Sequence, residues 1–584
     1  MKILVFAPHA ATWIHAFPEA LVAEALSSNG HEIVYVTCDR QFAGYCVAMT
    51  SAGLPPEAPE ARKQEVCNRC RANAGLLRQQ FAFRGFDLGA QLTPADAEEI
   101  AQRIATVRRE EFAATEAHGL PVGRIALYQL LIRRKKMNLS LSDEEWPEYV
   151  LHLTATLRAA AAMRRILSGE RPDRILLYNG LYSVNLVCRQ LAEREGVPTY
   201  FLHAGGNLAH RLQTLMIGRD HTFRYYPSIL GHWPRFSERA VSLRLARLIT
   251  DHFMEVLRGR SGFVYSNRKG SGTFRIRERF GIPDRARILV ATLGSYDEEF
   301  AAEAVGARVH RGSPVFPTQA DWVRALCELA ATRVDLFFII RVHPREFPNR
   351  REQVQSQHAD SLRSALVGLP RNMAVNWPDD QISLYDLAEE ADVFLNSWSS
   401  VGKEMSLLGL PVVTHVPELL FYPPDLNYAA TTRAEYFILI DRALADGWSA
   451  ERIRRTYRWL AVEYGYGLVD IADGYSARET ERPMLSVRAW NRARRILDPL
   501  YAQKRDCARR PARLEAAALI SRLLESGRDT ILDVLGEEDL EHAGAADEDQ
   551  ILRDEISRLM PHLYPVAVKP LPGSLHARLR EFAG

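Results

Sequence analysis

The chain has 584 residues, of which 47% are hydrophobic and 25% are charged, and its formal net charge is +2. This composition is typical of globular proteins, and the length predicts about three to five domains. A nearly neutral chain has no overall positive field to attract nucleic acid, so we exclude nucleic acid as a partner.

No apolar run reaches the roughly 18 residues of a membrane span, and the opening MKILVFAPHA has no cleavage site. We interpret that opening as a first β-strand. The seven cysteines, an odd number, favour reduced thiols and a cytoplasmic location. Four of them lie close together and end in a C-x-x-C pair, which leaves open either a zinc site or free thiols: Cys38, Cys46, Cys67 and Cys70.

The chain begins with a βαβ pattern. KILVFAP and HEIVYVTC are apolar runs typical of buried parallel strands, and the helical pattern between them ends at Gly30. The G-x-G-x-x-G loop of dinucleotide-binding domains is missing. We predict a Rossmann-like domain over residues 1–240, interrupted by a helical insertion over about 71–170, after which DRILLYNG and VPTYFLHAGG resume the strands.

A second α/β pattern begins near residue 285, where RILVATLGS, VDLFFII, MAVNW, DVFLN and PVVTH alternate with helical segments. Short loops between such elements predict a parallel sheet covered by helices. We therefore predict a connection over 241–284, a second doubly wound domain over 285–445 and a helical region over 446–584. The Arg-rich segment 488–514 of that region predicts either a helix packed on the core or peripheral contact with the inner face of a membrane.

Polar groups follow the predicted strands of the second domain. Ligands of doubly wound sheets bind beyond the carboxyl ends of the strands, so these groups predict a site for a nucleotide phosphate. Ser399 and Ser400 precede a helix, where they are expected to cap it beside the phosphate, and Glu404 is placed to accept from ribose hydroxyls. The predicted nucleotide-binding residues are Ser295, Arg341, His343, Pro344, Arg345, Ser397, Ser399, Ser400 and Glu404.

Each of these residues also has an ordinary structural interpretation. Ser399 and Ser400 with Glu404 fit a normally capped helix, His343 fits a strand-end histidine bonded to a carbonyl, and the arginines fit solvated loop charges. The run of four basic residues at 133–136 fits either a solvated helix face or a patch that meets an anionic polysaccharide or lipid phosphate.

The strand ends of the first domain supply a second group of candidates. His203 is the predicted general base, because an imidazole titrates near neutrality and the glycines after it allow a substrate to approach. His9, His15 and Glu19 are further candidates for a base. The residues predicted on the acceptor side are His9, His15, Asn179, Gly205 and Gly206.

DLFFIIRVHPREFPNR and NWPDDQISLYDLAEEADVFLNSWSSVGKEMSLLGLPVV resemble the C-terminal half of GT-B capsule and surface-polysaccharide glycosyltransferases. Relatives of that family include bacterial sialyl- and Kdo-transferases and CDP-glycerol glycerophosphotransferases. The resemblance covers residues 285–415 and implies that His343-Pro344 and Ser399-Ser400 hold the donor phosphates. The acidic motif of the sialyltransferases is not evident, which leaves the base to be found.

The resemblance implies a GT-B-like fold, with two Rossmann-like domains facing a cleft. It also implies a metal-independent transferase that needs no cofactor beyond its CMP-, CDP-, UDP- or GDP-linked sugar donor. The acceptor would be a surface glycan or a lipid-linked glycan. His343 would be catalytic as well as binding, because negative charge grows on the leaving phosphate.

Three alternatives stay open: a CDP-glycerol glycerophosphotransferase, an isomerase of the UDP-N-acetylglucosamine 2-epimerase type, and a glycan-binding subunit without activity.

Overall fold

The computed structural model describes residues 1–265, 267–270, 274–308, 315–349, 353–477, 489, 492–493, 514–566 and 569–584. Within these ranges the chain forms two mainly parallel β-sheets with helices packed against them, and further helices follow the second sheet. The predicted fold class is therefore confirmed: two Rossmann-like domains, a helical insertion in the first and a helical C-terminal region.

The first domain opens the chain and includes the insertion. Its strands are β1 (Lys2–Phe6), β2 (Glu32–Thr37), β3 (Arg84–Asp87), β4 (Arg174–Tyr178), β5 (Thr199–Ala204) and β6 (Thr214–Arg219). Its helices are α1 (Trp13–Ser28), α2 (Val47–Ser51), α3 (Glu60–Phe81), α4 (Pro94–Thr106), α5 (Val122–Ile125), α6 (Tyr128–Arg134), α7 (Glu145–Glu170), α8 (Ser183–Arg194), α9 (Thr222–Leu230) and α10 (Trp233–Phe236).

Two helices lead from the first domain to the second: α11 (Leu243–Arg258) and α12 (Ile276–Phe280). The strands of the second domain are β7 (Arg287–Thr292), β8 (Leu336–Arg341), β9 (Met373–Asn376), β10 (Val393–Asn396), β11 (Val412–Thr414) and β12 (Tyr428–Ala429). Its helices are α13 (Asp297–Ala304), α14 (Gln319–Thr332), α15 (His358–Ala365), α16 (Leu384–Leu387), α17 (Val401–Leu407) and α18 (Arg433–Asp446).

The C-terminal region contains helices and one short strand. They are α19 (Ala450–Ala461), a π-helical turn (Val462–Tyr466), β13 (Val469–Asp470), α20 (Ala472–Ala477), α21 (Ala517–Ser526), α22 (Ala545–Leu563) and α23 (Leu575–Ala583).

The first sheet has the strand order β13-β6-β5-β4-β1-β2-β3, in which β6 runs antiparallel to both of its neighbours. The second has the order β12-β11-β10-β7-β8-β9 and is parallel throughout. Both sheets are buried on their two faces. In β1, for example, Ile3 and Val5 belong to one core and Leu4 and Phe6 to another, which explains the unbroken apolar run KILVF.

Four strands lie where the sequence did not predict them. β3 falls inside the predicted helical insertion, β6 follows the last strand expected in the first domain, β12 follows the last strand expected in the second, and β13 falls inside the predicted helical region. β3 and β13 have only four and two residues, which is too short for a periodicity to be recognised. Each is a strand because a neighbour in the sheet offers it hydrogen bonds.

The C-terminal region returns to the first domain after leaving the second. β13 pairs with β6 of the first sheet, and α21 packs on α1. α22 packs along α11 in the connection. The Arg-rich segment 488–514, for which membrane contact is a prediction, lies outside the described residues except for Ala489, Arg492, Ala493 and Leu514. Among the described residues, no helix is both long and apolar enough to cross a bilayer.

A buried ion pair fastens α22 to α19 and to the connection. Glu548 is 1% exposed. It accepts hydrogen bonds from Arg458 Nη2 at 2.8 Å, from Arg458 Nε at 3.1 Å and from the Val241 N–H at 3.0 Å. Removing one partner of such a pair leaves an uncompensated charge in the interior.

We expect Glu548→Ala to lower the free energy of unfolding by about 3–5 kcal/mol, because the buried guanidinium of Arg458 loses its buried counter-ion and keeps only the exposed Glu238. The measurement is urea unfolding followed by circular dichroism. Glu537→Ala is the matched control: its carboxylate is exposed and binds Arg235 and Arg239 at the surface, so the unfolding midpoint should barely move. Equal midpoints for the two variants would contradict the role given to the buried pair.

Candidate functional site

A cavity of about 370 Å³ lies between the two domains at the carboxyl ends of the strands. We call it the central cavity. Its walls come from the loop after β5, from α11 and the segment 263–265, from the strand ends of the second domain and from the π-helical turn. Residues distant in sequence therefore converge at the edge where doubly wound sheets bind ligands.

Six of the nine residues predicted to bind the nucleotide line the central cavity: Arg341, His343, Pro344, Ser399, Ser400 and Glu404. Ser295, Arg345 and Ser397 do not line it. Ser295 donates to Asp297 Oδ1 at 2.7 Å, and Ser397 is fully buried beside the carbonyl of Thr292. These three residues lie outside the cavity lining and contact other protein groups.

His343 presents a neutral hydrogen-bond donor to the cavity. Its Nδ1 accepts the N–H of Arg345 at 3.2 Å, so in the neutral ring the proton lies on Nε2. Burial lowers the pKa of His343 to about 4. At neutral pH, therefore, His343 contributes an oriented N–H and no positive charge.

The two arginines beside His343 are held by the protein itself. Arg345 is 4% exposed and binds both carboxylate oxygens of Asp297, with Nη2 at 2.7 Å and Nε at 3.1 Å. Arg341 donates to Asn376 Oδ1 and, at 3.0 Å, to the carbonyl of Ile382. Arg341 contributes charge at the wall. Arg345, which is predicted to bind the nucleotide, does not line the cavity, and its guanidinium is paired with Asp297.

The two serines do not cap α17 as predicted. Ser399 Oγ donates to Asn396 Oδ1 at 2.8 Å, and Ser400 Oγ donates to Glu404 Oε1 at 2.7 Å. Glu404 also accepts from Tyr385 Oη at 2.7 Å. The side-chain oxygens of Asn396 and Glu404 thus compete successfully with capping, and both hydroxyls still lie on the cavity wall.

In the first domain, the loop after β5 reaches the central cavity at Gly206. The other residues predicted on the acceptor side do not line this cavity. The His15 ring stacks on Tyr178 with centroids 4.0 Å apart, and Tyr178 lies 5.8 Å from the His203 ring. This histidine–tyrosine row runs along the carboxyl edge of the first sheet. Gly205 accepts from Arg211 Nη1 at 2.9 Å, which connects the row to the central cavity.

His203 has a defined tautomer. Its Nδ1 lies 3.0 Å from the carbonyl of Ala204, and since a carbonyl only accepts, Nδ1 carries the proton and Nε2 is a bare acceptor. Burial, with a smaller effect of Arg211, lowers the pKa of His203 to about 4. The ring is therefore neutral in the ligand-free protein.

The remaining candidates in this row occupy different environments. His9 lies 5.9 Å from the Tyr182 ring, and neither of its ring nitrogens has a hydrogen-bond partner among the described residues. Asn179 has a left-handed backbone with φ of 63° and accepts the N–H of Leu181. Burial raises the pKa of Glu19 well above its usual range, which keeps that carboxyl protonated.

Sequence reasoning missed much of the cavity wall: Arg211, His252, Tyr265, Lys403, Glu463 and Tyr464. His252 Nδ1 accepts the N–H of Leu208 at 3.0 Å, and its Nε2 lies 3.2 Å from Tyr464 Oη. Lys403 forms a buried ion pair with Glu463. Glu463 and Tyr464 lie on the π-helical turn, a geometry often found at functional sites, but the sequence carries no pattern for such a turn.

The four clustered cysteines line a separate cavity of about 190 Å³ as free thiols. Among the described residues, no group of three or more His, Cys, Asp or Glu side chains is arranged to hold a metal ion. Burial raises the pKa of the Cys46 thiol to about 12, which keeps it protonated at neutral pH.

The basic run at 133–136 faces protein groups, contrary to both sequence interpretations. Arg133 and Arg134 bind Glu148, and Lys136 binds Glu145. Lys135 is fully buried and donates to the carbonyls of residues 345 and 354 in the second domain. The run therefore joins the insertion to the second domain.

No protein-family model matches the chain, and no curated protein matches its sequence. Solved structures do align with it. The UDP-GlcNAc 2-epimerase of Neisseria meningitidis, bound to UDP-GlcNAc, is 11% identical over 79% of this chain and 97% of its own, with a TM-score of 0.24. The KpsC β-Kdo 2,4-transferase of Thermosulfurimonas dismutans is 16% identical over 52% of this chain and 82% of its own, with a TM-score of 0.30.

The calicheamicin glycosyltransferase CalG4 is 15% identical over 80% of this chain and 95% of its own, with a TM-score of 0.23. Identities and TM-scores this low assign no family and no activity. We therefore infer function from the residues of this chain alone.

The histidines at the site predict a pH dependence of stability. Burial lowers the pKa of His9, His203 and His343 to about 4 and that of His15 to about 3. The unfolded chain, with histidine pKa values near 6.5, binds protons first as the pH falls. These histidines therefore stabilise the fold above about pH 6.5, and that contribution is lost as the pH falls toward 4.

We expect the variant His15→Asn/His203→Asn to lose less stability than the wild type between pH 7.5 and 5.5. The measurement is the thermal midpoint across that range. The pKa of Glu299 is raised to about 7 by burial, so it titrates in the same window with the opposite sign, but it does so in both proteins and cancels in the comparison. Parallel curves would contradict the assignment of the histidines.

Proposed function

We propose that the protein is a glycosyltransferase that moves a sugar from a nucleotide-activated donor to a surface-glycan acceptor at the cytoplasmic face of a cell. One observation carries this proposal. The donor groups at the strand ends of the second domain converge in one cavity, and the loop that follows His203 in the first domain reaches the wall of that cavity at Gly206.

The second domain is suited to hold the donor's phosphates. His343 Nε2–H and the charge of Arg341 lie on one wall of the central cavity. The hydroxyls of Ser399 and Ser400 lie beside them and become donors to a phosphate when they rotate away from Asn396 and Glu404. Sugar transfer breaks the bond between the anomeric carbon and a phosphate oxygen, and negative charge grows on that oxygen. Preorganised donors in a desolvated cavity stabilise such charge strongly, so the proposed step needs no metal.

The first domain is suited to accept the proton. The acceptor hydroxyl attacks the anomeric carbon, and its proton passes to His203 Nε2, the bare nitrogen of that ring. The pKa of about 4 makes His203 a weak base without ligand. A bound phosphate anion nearby favours the imidazolium form and raises that pKa, which couples base strength to donor binding.

The carboxylates on the cavity wall bear on the epimerase alternative. Glu404 accepts from Tyr385 and Ser400, and Glu463 is paired with Lys403 and accepts from Trp459 Nε1 at 3.1 Å. A carboxylate so occupied is a poor acid–base catalyst, so these contacts favour transfer over epimerisation.

Incubation with CMP-, CDP-, UDP- and GDP-sugars, with and without a glycan acceptor, separates the alternatives. Nucleotide release that requires the acceptor identifies a transferase. A changed sugar nucleotide without acceptor identifies an epimerase, and binding without reaction identifies a glycan-binding subunit. CDP-glycerol as the donor tests the glycerophosphotransferase.

We expect His343→Ala to weaken nucleotide binding and to reduce turnover about 10²- to 10³-fold, because one donor to the developing oxyanion is lost. Ser399→Ala should have a smaller effect because the Ser399 hydroxyl already donates to Asn396 in the ligand-free protein. Titration calorimetry with the nucleotide measures affinity, and His542→Ala, at an exposed histidine that does not line the cavity, is the control. Unchanged nucleotide affinity in a folded His343→Ala protein would contradict the assignment of this site.

His203→Ala should leave nucleotide affinity unchanged and abolish transfer, since His203 is assigned to the acceptor's proton. The two measurements are calorimetry with the nucleotide and the initial rate of product formation. If His203→Ala weakened nucleotide binding as much as His343→Ala does, His203 would belong to the donor side and the proposed base would be wrong.

A further inference from the structure

A second cavity, of about 520 Å³, opens on the other side of the histidine–tyrosine row. We call it the insertion cavity, because α6 and α7 of the insertion provide much of its wall. The rest comes from α2, from Tyr182 after β4 and from residues 353–354 of the second domain. Its size is within the range of roughly 300–1,000 Å³ that is usual for small-molecule sites.

The insertion cavity is lined by aromatic rings and uncharged polar groups. Tyr45, Tyr128 and Tyr182 contribute rings, and Thr50 and Gln129 contribute polar groups. The hydroxyl of Tyr45 donates to the Leu54 carbonyl at 2.9 Å. Rings held in place beside a few polar groups are the lining expected around a ligand with both apolar faces and hydroxyl edges.

The positive charge on this wall is already neutralised. Arg133 binds both carboxylate oxygens of Glu148, which is 2% exposed. An anionic ligand would have to break this buried ion pair, at a cost that a neutral ligand avoids. The wall therefore favours an uncharged ligand.

The side-chain amide of Gln129 is oriented to donate a hydrogen bond to such a ligand. Its Oε1 accepts the hydroxyl of Ser183, so the amide orientation is fixed and Nε2 points the other way. Among the hydrogen bonds of the described residues, Gln129 Nε2 has no acceptor. A ligand hydroxyl in the cavity would supply one.

The histidine–tyrosine row connects this cavity to the central one. His15 lies on the wall of the insertion cavity and stacks on Tyr178, which in turn neighbours His203. The rings of His15 and Tyr178 therefore separate a ligand bound among the tyrosines from the proposed base, so such a ligand would be a unit of the acceptor other than the one that reacts.

We propose that the insertion cavity binds a neutral saccharide unit of the acceptor, stacked on Tyr128 and Tyr182 and hydrogen-bonded by Gln129. This inference rests on the proposed function and extends it: the helical insertion is the element that selects an uncharged sugar ring as acceptor.

The test uses the full chain and methyl glycosides as probes, observed by saturation-transfer NMR. Methyl hexopyranosides and methyl N-acetylhexosaminides represent neutral rings, and methyl hexuronides of the same configuration represent acidic ones. We expect saturation of the neutral rings and none of the acidic rings. Tyr182→Ala should reduce the affinity for the neutral probe about five- to tenfold, because one ring contact is lost. Tyr182→Phe should retain binding.

Gln129→Ala is a second variant, which leaves every aromatic ring in place, and it should reduce the affinity for the same probe. Preference for the acidic glycosides, absence of any saturation in the folded protein, or unchanged binding in both Tyr182→Ala and Gln129→Ala would each overturn the inference. Nucleotide calorimetry on the same samples keeps the two proposals apart: nucleotide binding without glycoside binding rejects the insertion cavity and leaves the transferase standing, whereas the reverse result rejects the donor site.

Discussion

The buried guanidinium of Arg345 holds together the parts of the molecule that meet at the central cavity. Its ion pair with Asp297 fixes α13, and its Nη1 donates to Tyr265 Oη at 2.6 Å in the connection. Its backbone N–H sets the tautomer of His343, and its carbonyl accepts Lys135 from the insertion. Burying such a pair gains little net stability. What it provides is geometry, because four elements are positioned by a single side chain and its own backbone.

The fold was predictable where the sequence is regular. Apolar runs such as VDLFFII can only be covered strands, and their alternation with helical segments requires parallel sheets. The short edge strands β3 and β13 were not predictable, since they exist only through a neighbour that is distant in the chain. The segment 462–466 was expected to be helical in general terms, but its π geometry depends on tertiary packing.

The sequence predicted which residues lie at the site better than it predicted what each of them does there. Strand ends of a doubly wound sheet meet at one edge, so six of nine expected residues line the cavity. Their partners could not be deduced. Nothing in the sequence shows that Asp297 reaches Arg345, or that Asn396 rather than a backbone N–H takes the Ser399 hydroxyl. Arg211 and His252 were not predictable, because neither directly follows an apolar run that predicts a strand.

The return of the chain to β13 gives the molecule a mechanical property. A domain pair joined by one linker can swing and twist in any direction, but here the backbone crosses through α11 and returns through the π-helical turn. It reaches the second domain again at α23, where the Leu575 N–H donates to the Glu389 carbonyl. Each further crossing restricts the relative motion of the two domains. Tyr265 lies just after the first crossing and Glu463 on the second, and both line the central cavity. The first two crossings therefore border the ligand space and tie its two walls together at that point.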